Sequence, residues 1–206
     1  MAFLSLWEVF DIVLMSFVVG FIFKDALRPP VFARDPDSFI KNVTPGMSLH
    51  KLSDFWYAVL LVAPAIIFHE FGHKFVAMAF GLSAEFHAAY LWLGIALVLK
   101  LVLPGFIFFI PAYVSISGGA TPLAHSLIAF SGPAVNLVFW LGSAAVLKWG
   151  FTGSRTRRRS HHDVEKLRFL NLFRRINMFL FILNMIPIPG FDGFHVLRGV
   201  WTLFSG

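Results

Sequence analysis

The stretch His69-Glu70-Phe71-Gly72-His73 places two histidines four residues apart, with a carboxylate beside the first. On an α-helix a four-residue step turns about 40° around the axis, so both imidazoles can reach one point in space. Imidazole nitrogens are good zinc ligands, and zinc lowers the pKa of a bound water to roughly 7. A neighbouring glutamate can then take the proton as the hydroxide attacks a carbonyl, so the chemistry the pattern supports is hydrolysis. Three fixed residues also occur by coincidence, but these lie in otherwise apolar sequence from about Phe55 to Phe80. Two histidines and a glutamate buried in an apolar helix are costly unless paired or bound to metal, which favours a functional site.

A hydrolytic zinc takes three protein ligands and keeps one position open. The chain has no cysteine, so the third ligand must be His, Asp or Glu. Asp192 is the best candidate. It ends the broken stretch Asn184-Met185-Ile186-Pro187-Ile188-Pro189-Gly190-Phe191-Asp192, ahead of Gly193. Irregular backbone at membrane depth is tolerated only where it is buried in protein or lines a cavity, and a metal site provides such a cavity. The competing structural role for Asp192 is an N-cap on the last helix.

Together, H-E-F-G-H and N-x-x-P-x-P-x-x-D-G resemble the site-2 protease family of intramembrane metalloproteases. The resemblance implies one zinc held by His69, His73 and Asp192. It also implies general-base action by Glu70, with Asn184 holding substrate or stabilising the oxyanion. Ser131-Gly132-Pro133-Ala134-Val135-Asn136 looks like the G-P-x-x-N segment of the family's middle core helix. There Gly132 would allow close helix packing, and Asn136 would either bond near the active site, toward substrate, or simply tie two helices. The resemblance covers roughly Pro64 to the C-terminus and has one departure. Many relatives carry a short strand directly after the H-E-x-x-H helix, whereas here the apolar run Ala88 to Leu103 intervenes. The strand is therefore expected at Ala112, Tyr113, Val114, Ser115, Ile116 and Ser117, which alternate somewhat and end in a Gly-Gly turn signal. Such an edge strand would hold an unwound substrate by β-augmentation.

The elements that must position these residues are written in the composition. Of 206 residues, 58% are hydrophobic, 26 are Phe and only 14% are charged, a balance that belongs in a bilayer. At about 20 apolar residues per crossing, the length allows about six transmembrane segments. The expected fold class is an all-α polytopic membrane protein with a short membrane-associated β-strand region. Residues 1–206 read as one domain, with a core over 55–206, an accessory first helix over 1–24, and polar loops over 25–54 and 149–168. Glu8 and Asp11 stand where a secretory signal would be basic, so the first helix reads as retained. Further helices are expected from near Phe55 to Phe80, Pro122 to Lys148 and Phe169 to Ile186, with a short closing segment from Gly193 to Phe204.

The net charge of +6 sits between apolar runs, which argues for lipid headgroups and against nucleic acid as the partner. Lys148 to Arg168 holds seven basic residues against two acidic ones, whereas the loop after the first helix holds five against four. The positive-inside rule would put the former in the cytoplasm, while some relatives place the corresponding loop outside, so the orientation stays open. His87, His125, His161 and His162 fall near ends or loops and read as interfacial. His195 is either interfacial or a supporting group for Asp192, and Lys100 can snorkel. The expected protein is a multi-pass resident of the cell membrane acting on transmembrane protein substrates. The rival class is a transporter or channel, in which buried His, Glu and Asp would carry protons or metal.

Overall fold

The computed structural model describes residues 3–27, 49–103, 111–150 and 161–205. In chain order they form α1 (Leu6–Phe23), α2 (Leu49–Ala79), β1 (Ser83–Ala88), α3 (Tyr90–Val102), β2 (Ala112–Ser117), α4 (Pro122–Trp149), α5 (His161–Asn184) and α6 (Asp192–Ser205). Residues 104–110, the middle of the basic Lys148 to Arg168 loop (151–160) and most of the first polar loop lie outside the described residues. Two helices run further than their apolar sequence: α2 begins at Leu49 rather than near Phe55, and α5 at His161 rather than Phe169. Polar residues such as Glu165 and Lys166 are good helix formers, so a helix can outrun its hydrophobic stretch.

Among the described residues, three helices are long and apolar enough to cross a membrane: Leu6–Phe23, Asp54–Ala79 and Pro122–Trp149. Helix α3 is apolar but shorter. Helix α5 carries Asn171, Arg174, Arg175 and Asn177, which lower its apolar character. About six crossings are expected from the sequence, and three described helices meet that standard. Their outward faces suit lipid: on α4, Val138, Leu141 and Val146 are all at least half exposed while Asn136 is fully buried.

Helix α4 is central, packed against α2, α5 and α6. Helix α1 starts in a capping box, in which Ser5 Oγ accepts from Glu8 N–H and Glu8 Oε2 accepts from Ser5 N–H at 2.8 Å. It packs on α2 and β1 through Met15 and Val19, which meet Leu61, Val62, Ile66, Phe86 and Leu93 in the main core. Lys100, expected to snorkel, pairs with Asp25 at 3.1 Å and ties the end of α3 to the chain beyond α1.

Strand β1 corrects the sequence reading. A strand does follow the H-E-x-x-H helix directly, turning at Gly81 with φ of 78°, and α3 comes after it. The period-two signal exists, since Ala84, Phe86 and Ala88 are buried while Ser83 and Glu85 are exposed. It is carried largely by alanines, which are poor strand formers, over only six residues. The strands pair antiparallel from Ser83 opposite Ser117 to Ala88 opposite Ala112. Ala89 N–H donates to Pro111 O at 3.1 Å, continuing the ladder one step. Hydrogen-bonded pairs alternate along an antiparallel ladder, so Tyr113, Ser115 and Ser117 face β1 with their backbone groups. Ala112, Val114 and Ile116 turn theirs outward.

Candidate metal centre

The break between α5 and α6 is built by residues that cannot continue a helix. Pro187 and Pro189 have no N–H to donate, and Gly190 takes a φ of 101°. The returning chain presses so close that a Cβ on Gly193 would lie 2.4 Å from the Met185 carbonyl oxygen. This tight return starts α6 at Asp192 and aims its carboxylate at the H-E-x-x-H face of α2.

His69, Glu70 and His73 are buried there, each under a tenth exposed. His69 Nε2 and His73 Nε2 are 3.2 Å apart, and Asp192 Oδ2 lies 3.1 Å from the first and 3.4 Å from the second. Tetrahedral ligands about 2.0–2.1 Å from a zinc ion are separated by about 3.3 Å, so this triangle has the size of one face of a zinc site. The three residues can hold a metal ion.

The opposite nitrogens decide what the triangle can do. His73 Nδ1 is 2.7 Å from the Ile128 carbonyl oxygen, which only accepts, so Nδ1 carries the proton. His69 Nδ1 lies 2.6 Å from Asn136 Oδ1. The Asn136 amide nitrogen gives both its hydrogens, to Ala65 O at 3.1 Å and to Asn177 Oδ1 at 3.0 Å, so its oxygen is the acceptor for His69. With the rings neutral, as metal ligation requires, both Nε2 atoms present lone pairs toward a carboxylate oxygen. Three acceptors so close repel one another in a dry site, and a cation between them removes the conflict.

Gly132 on α4 completes the space. A Cβ at this position would lie 2.3 Å from His73 Nε2 and 2.8 Å from His69 Nε2. The sequence suggests close helix packing for Gly132; the structure places its bare backbone over the histidine tips. Pro133 interrupts the helix ladder at the same turn, beside the Ile128 carbonyl that holds His73.

Asn136, expected near substrate, is fully buried, and its amide is taken up by His69, Ala65 and Asn177. Asn177 is the residue that sequence reading missed. It is also fully buried, and its own amide donates to Phe173 O at 2.8 Å. A buried asparagine within the expected fifth helix was the available signal. Replacing Asn136 with Leu removes the acceptor that sets the His69 tautomer, and zinc affinity is expected to fall roughly 10–100-fold in chelator competition. Asn184 is the last residue of α5, half-buried and outside this network. His195 packs against His125, ring centroids 5.4 Å apart, and among the described residues makes no hydrogen bond to Asp192. Strands β1 and β2 both lie against α2.

The fold and the site thus define a helical protein with membrane-compatible helices and a group of two buried histidines and one partly buried carboxylate that could hold a metal ion. Comparison with known proteins identifies its family. A protein of Methanocaldococcus jannaschii, named as a candidate zinc metalloprotease, is 34% identical over 152 residues, covering 73% of this chain and 72% of that one. A Synechocystis protein with the same description is 28% identical over 145 residues, covering 70% of this chain but only 31% of its own length. No family model matches the chain, and no solved structure matches it. The chain belongs to the zinc metalloprotease family of the Methanocaldococcus protein.

Proposed function

We propose that this chain is an intramembrane zinc metalloprotease of the site-2 type. It hydrolyses peptide bonds within or near transmembrane helices of membrane-protein substrates, from a multi-pass position in the cell membrane. The reading is carried by the convergence of His69 Nε2, His73 Nε2 and Asp192 Oδ2 beside buried Glu70, among helices apolar enough for a bilayer.

His69, His73 and Asp192 would hold one zinc per chain, which would supply a Lewis acid that makes water nucleophilic near neutral pH. Asn136 and the Ile128 carbonyl keep the two imidazoles in the ligating tautomer. Glu70 takes a proton from the attacking water and passes it to the leaving amine. Asn184 donates a hydrogen bond to the charge that develops on the substrate carbonyl oxygen. The scissile segment must be unwound first, because helical hydrogen bonds shield its peptide groups. The β2 strand takes up the backbone groups freed by unwinding, which are costly to leave unpaired inside a bilayer.

The test is a cleavage assay in detergent with several single-span helical substrates, together with zinc analysis of the purified chain. One zinc per chain and slow hydrolysis are expected; metal flux across vesicles with no hydrolysis would make the protein a transporter instead. Within that assay, Val114→Pro removes an outward N–H of β2 and leaves the Ser115 ladder bonds in place. Cleavage should fall about tenfold, the equivalent of about 1.4 kcal/mol or one hydrogen bond, with zinc retained. Unchanged cleavage would exclude pairing at that position.

A further inference from the structure

Two buried carboxylates on α1 take no part in the metal centre. Glu8 and Asp11 are three residues apart on one helix face, and each is about 5% exposed or less. Glu8 Oε1 accepts from Phe86 N–H at 2.8 Å and is ion-paired with Lys74, the residue directly after His73. Asp11 Oδ2 accepts from Ala88 N–H at 3.1 Å, Oδ1 accepts from the Tyr90 hydroxyl, and His87 Nδ1 lies 3.9 Å away.

Phe86 and Ala88 are alternate residues of β1, and the register turns their N–H groups away from β2. A neighbouring strand would bond to these same groups. Their partners come instead from a helix: Glu8 and Asp11 are about 4.5 Å apart along its axis, and their side chains spread to reach two N–H groups about 6.7 Å apart along the strand edge. Each carboxylate also meets a second donor, Lys74 for Glu8 and the Tyr90 hydroxyl for Asp11, so both are compensated as buried carboxylates must be and can hold the strand edge without an unpaired charge. On the opposite edge of the sheet, Ala112, Val114 and Ile116 turn their backbone groups outward, with no bond to them among the described residues.

We infer that Glu8 and Asp11 are positioning residues that close the β1 edge of the sheet, so that extended substrate pairs only along β2, in a register fixed through Lys74 to the helix of the metal ligands. This rests on the protease reading above and deepens it. A sheet with both edges open would accept a strand on either side and in either of two parities, and a one-residue slip moves every second peptide bond away from the metal. The α1 carboxylates remove that choice. Because Lys74 is on α2 one residue beyond His73, the Glu8 pair also holds β1 at a set height relative to His73.

Cysteine cross-linking of the full chain in detergent tests this, since the chain has no native cysteine. Single cysteines are placed at Val114 or Ile116 on β2, and at Glu85 or His87 on β1, in a Glu70→Gln background that retains substrate. A single-span helical substrate carries one cysteine, scanned through its scissile segment. Disulfides should form with the β2 cysteines at every second substrate position, and at least tenfold less with those on β1. Glu8→Ala combined with Asp11→Ala should bring β1 capture to within about twofold of β2 and blur the alternation. Asp11→Asn, which keeps an acceptor oxygen, should leave β1 closed. Zinc content checks that each variant is folded; loss of zinc in the alanine pair would show a merely structural role and overturn the inference. Equal capture by both strands before any α1 change would also overturn it, as would β1 remaining closed without the carboxylates. If the unsubstituted chain cleaves but neither strand captures substrate, the edge assignment fails and the protease reading stands. If it cleaves nothing, the protease reading itself fails.

Discussion

Glu70→Gln should keep its zinc and lose at least about a thousandfold in cleavage rate. The carboxamide has nearly the shape of the carboxylate, and the ligand triangle of His69, His73 and Asp192 does not include Glu70, so metal affinity is not at stake. What disappears is the ability to accept a proton: a glutamine oxygen accepts hydrogen bonds but is not basic enough to deprotonate water. A positioned general base is worth about 10²–10⁴ in rate, and Glu70 is asked to act twice, on the water and on the leaving amine. Rate and zinc content measured on the same preparation decide the matter. Proteolysis near the parent rate, in protein purified free of other proteases, would remove Glu70 from the mechanism.

Gly132→Ala should strip the metal. Its Cβ would sit 2.3 Å from His73 Nε2 and 2.6 Å from His73 Cε1, closer than nonbonded atoms approach, and within 2.8 Å of His69 Nε2. Neither imidazole can retreat cheaply, because their Nδ1 atoms are held by Ile128 O and Asn136 Oδ1. Both ligands would have to abandon their tautomer-setting bonds, so the loss of zinc affinity should exceed the roughly 10–100-fold expected for Asn136→Leu alone. Gly142 on the same helix is the control, since a Cβ there meets nothing within 4 Å. Gly142→Ala should keep zinc and activity, and helix propensity should make it neutral or stabilising by up to about 1 kcal/mol. Chelator competition and thermal melting on the pair separate a blocked site from a disturbed helix. Normal zinc affinity in Gly132→Ala would mean that α4 does not close over the histidines as described.

The two substitutions probe one design from opposite sides. Glu70 brings a proton acceptor to a ready-made ligand set, whereas Gly132 contributes by having no side chain. The centre is held by α2, α4 and the start of α6, and α5 supports it through Asn177. A change on any of these helices can therefore reach the His69, His73 and Asp192 group without touching it.

The readable part of this protein was the part whose meaning is local or chemical. His69 and His73 share a face because of helical periodicity, which needs no knowledge of the rest of the chain. Asp192 could be proposed from afar because cysteine is absent and because two prolines and two glycines mark irregular backbone where apolar sequence makes that expensive. The apolar runs likewise announced helices suited to a membrane, since bilayer thickness sets their length. What stayed hidden depended on partners distant in sequence. Strand β1 is not expected from the sequence, where its alternation is carried largely by alanines, and it is stabilised by β2 and by carboxylates more than seventy positions away. Glu8 and Asp11 read as a departure from a signal peptide, and Asn177 as one more polar residue, until folding placed them against β1 and Asn136. Hydrogen-bond pairing across helices has no period in the sequence. The residue types of the candidate site could be named in advance, but the hydrogen bonds that hold the imidazoles, the close approach of Gly132 and the cover over the β1 edge come from how the helices meet.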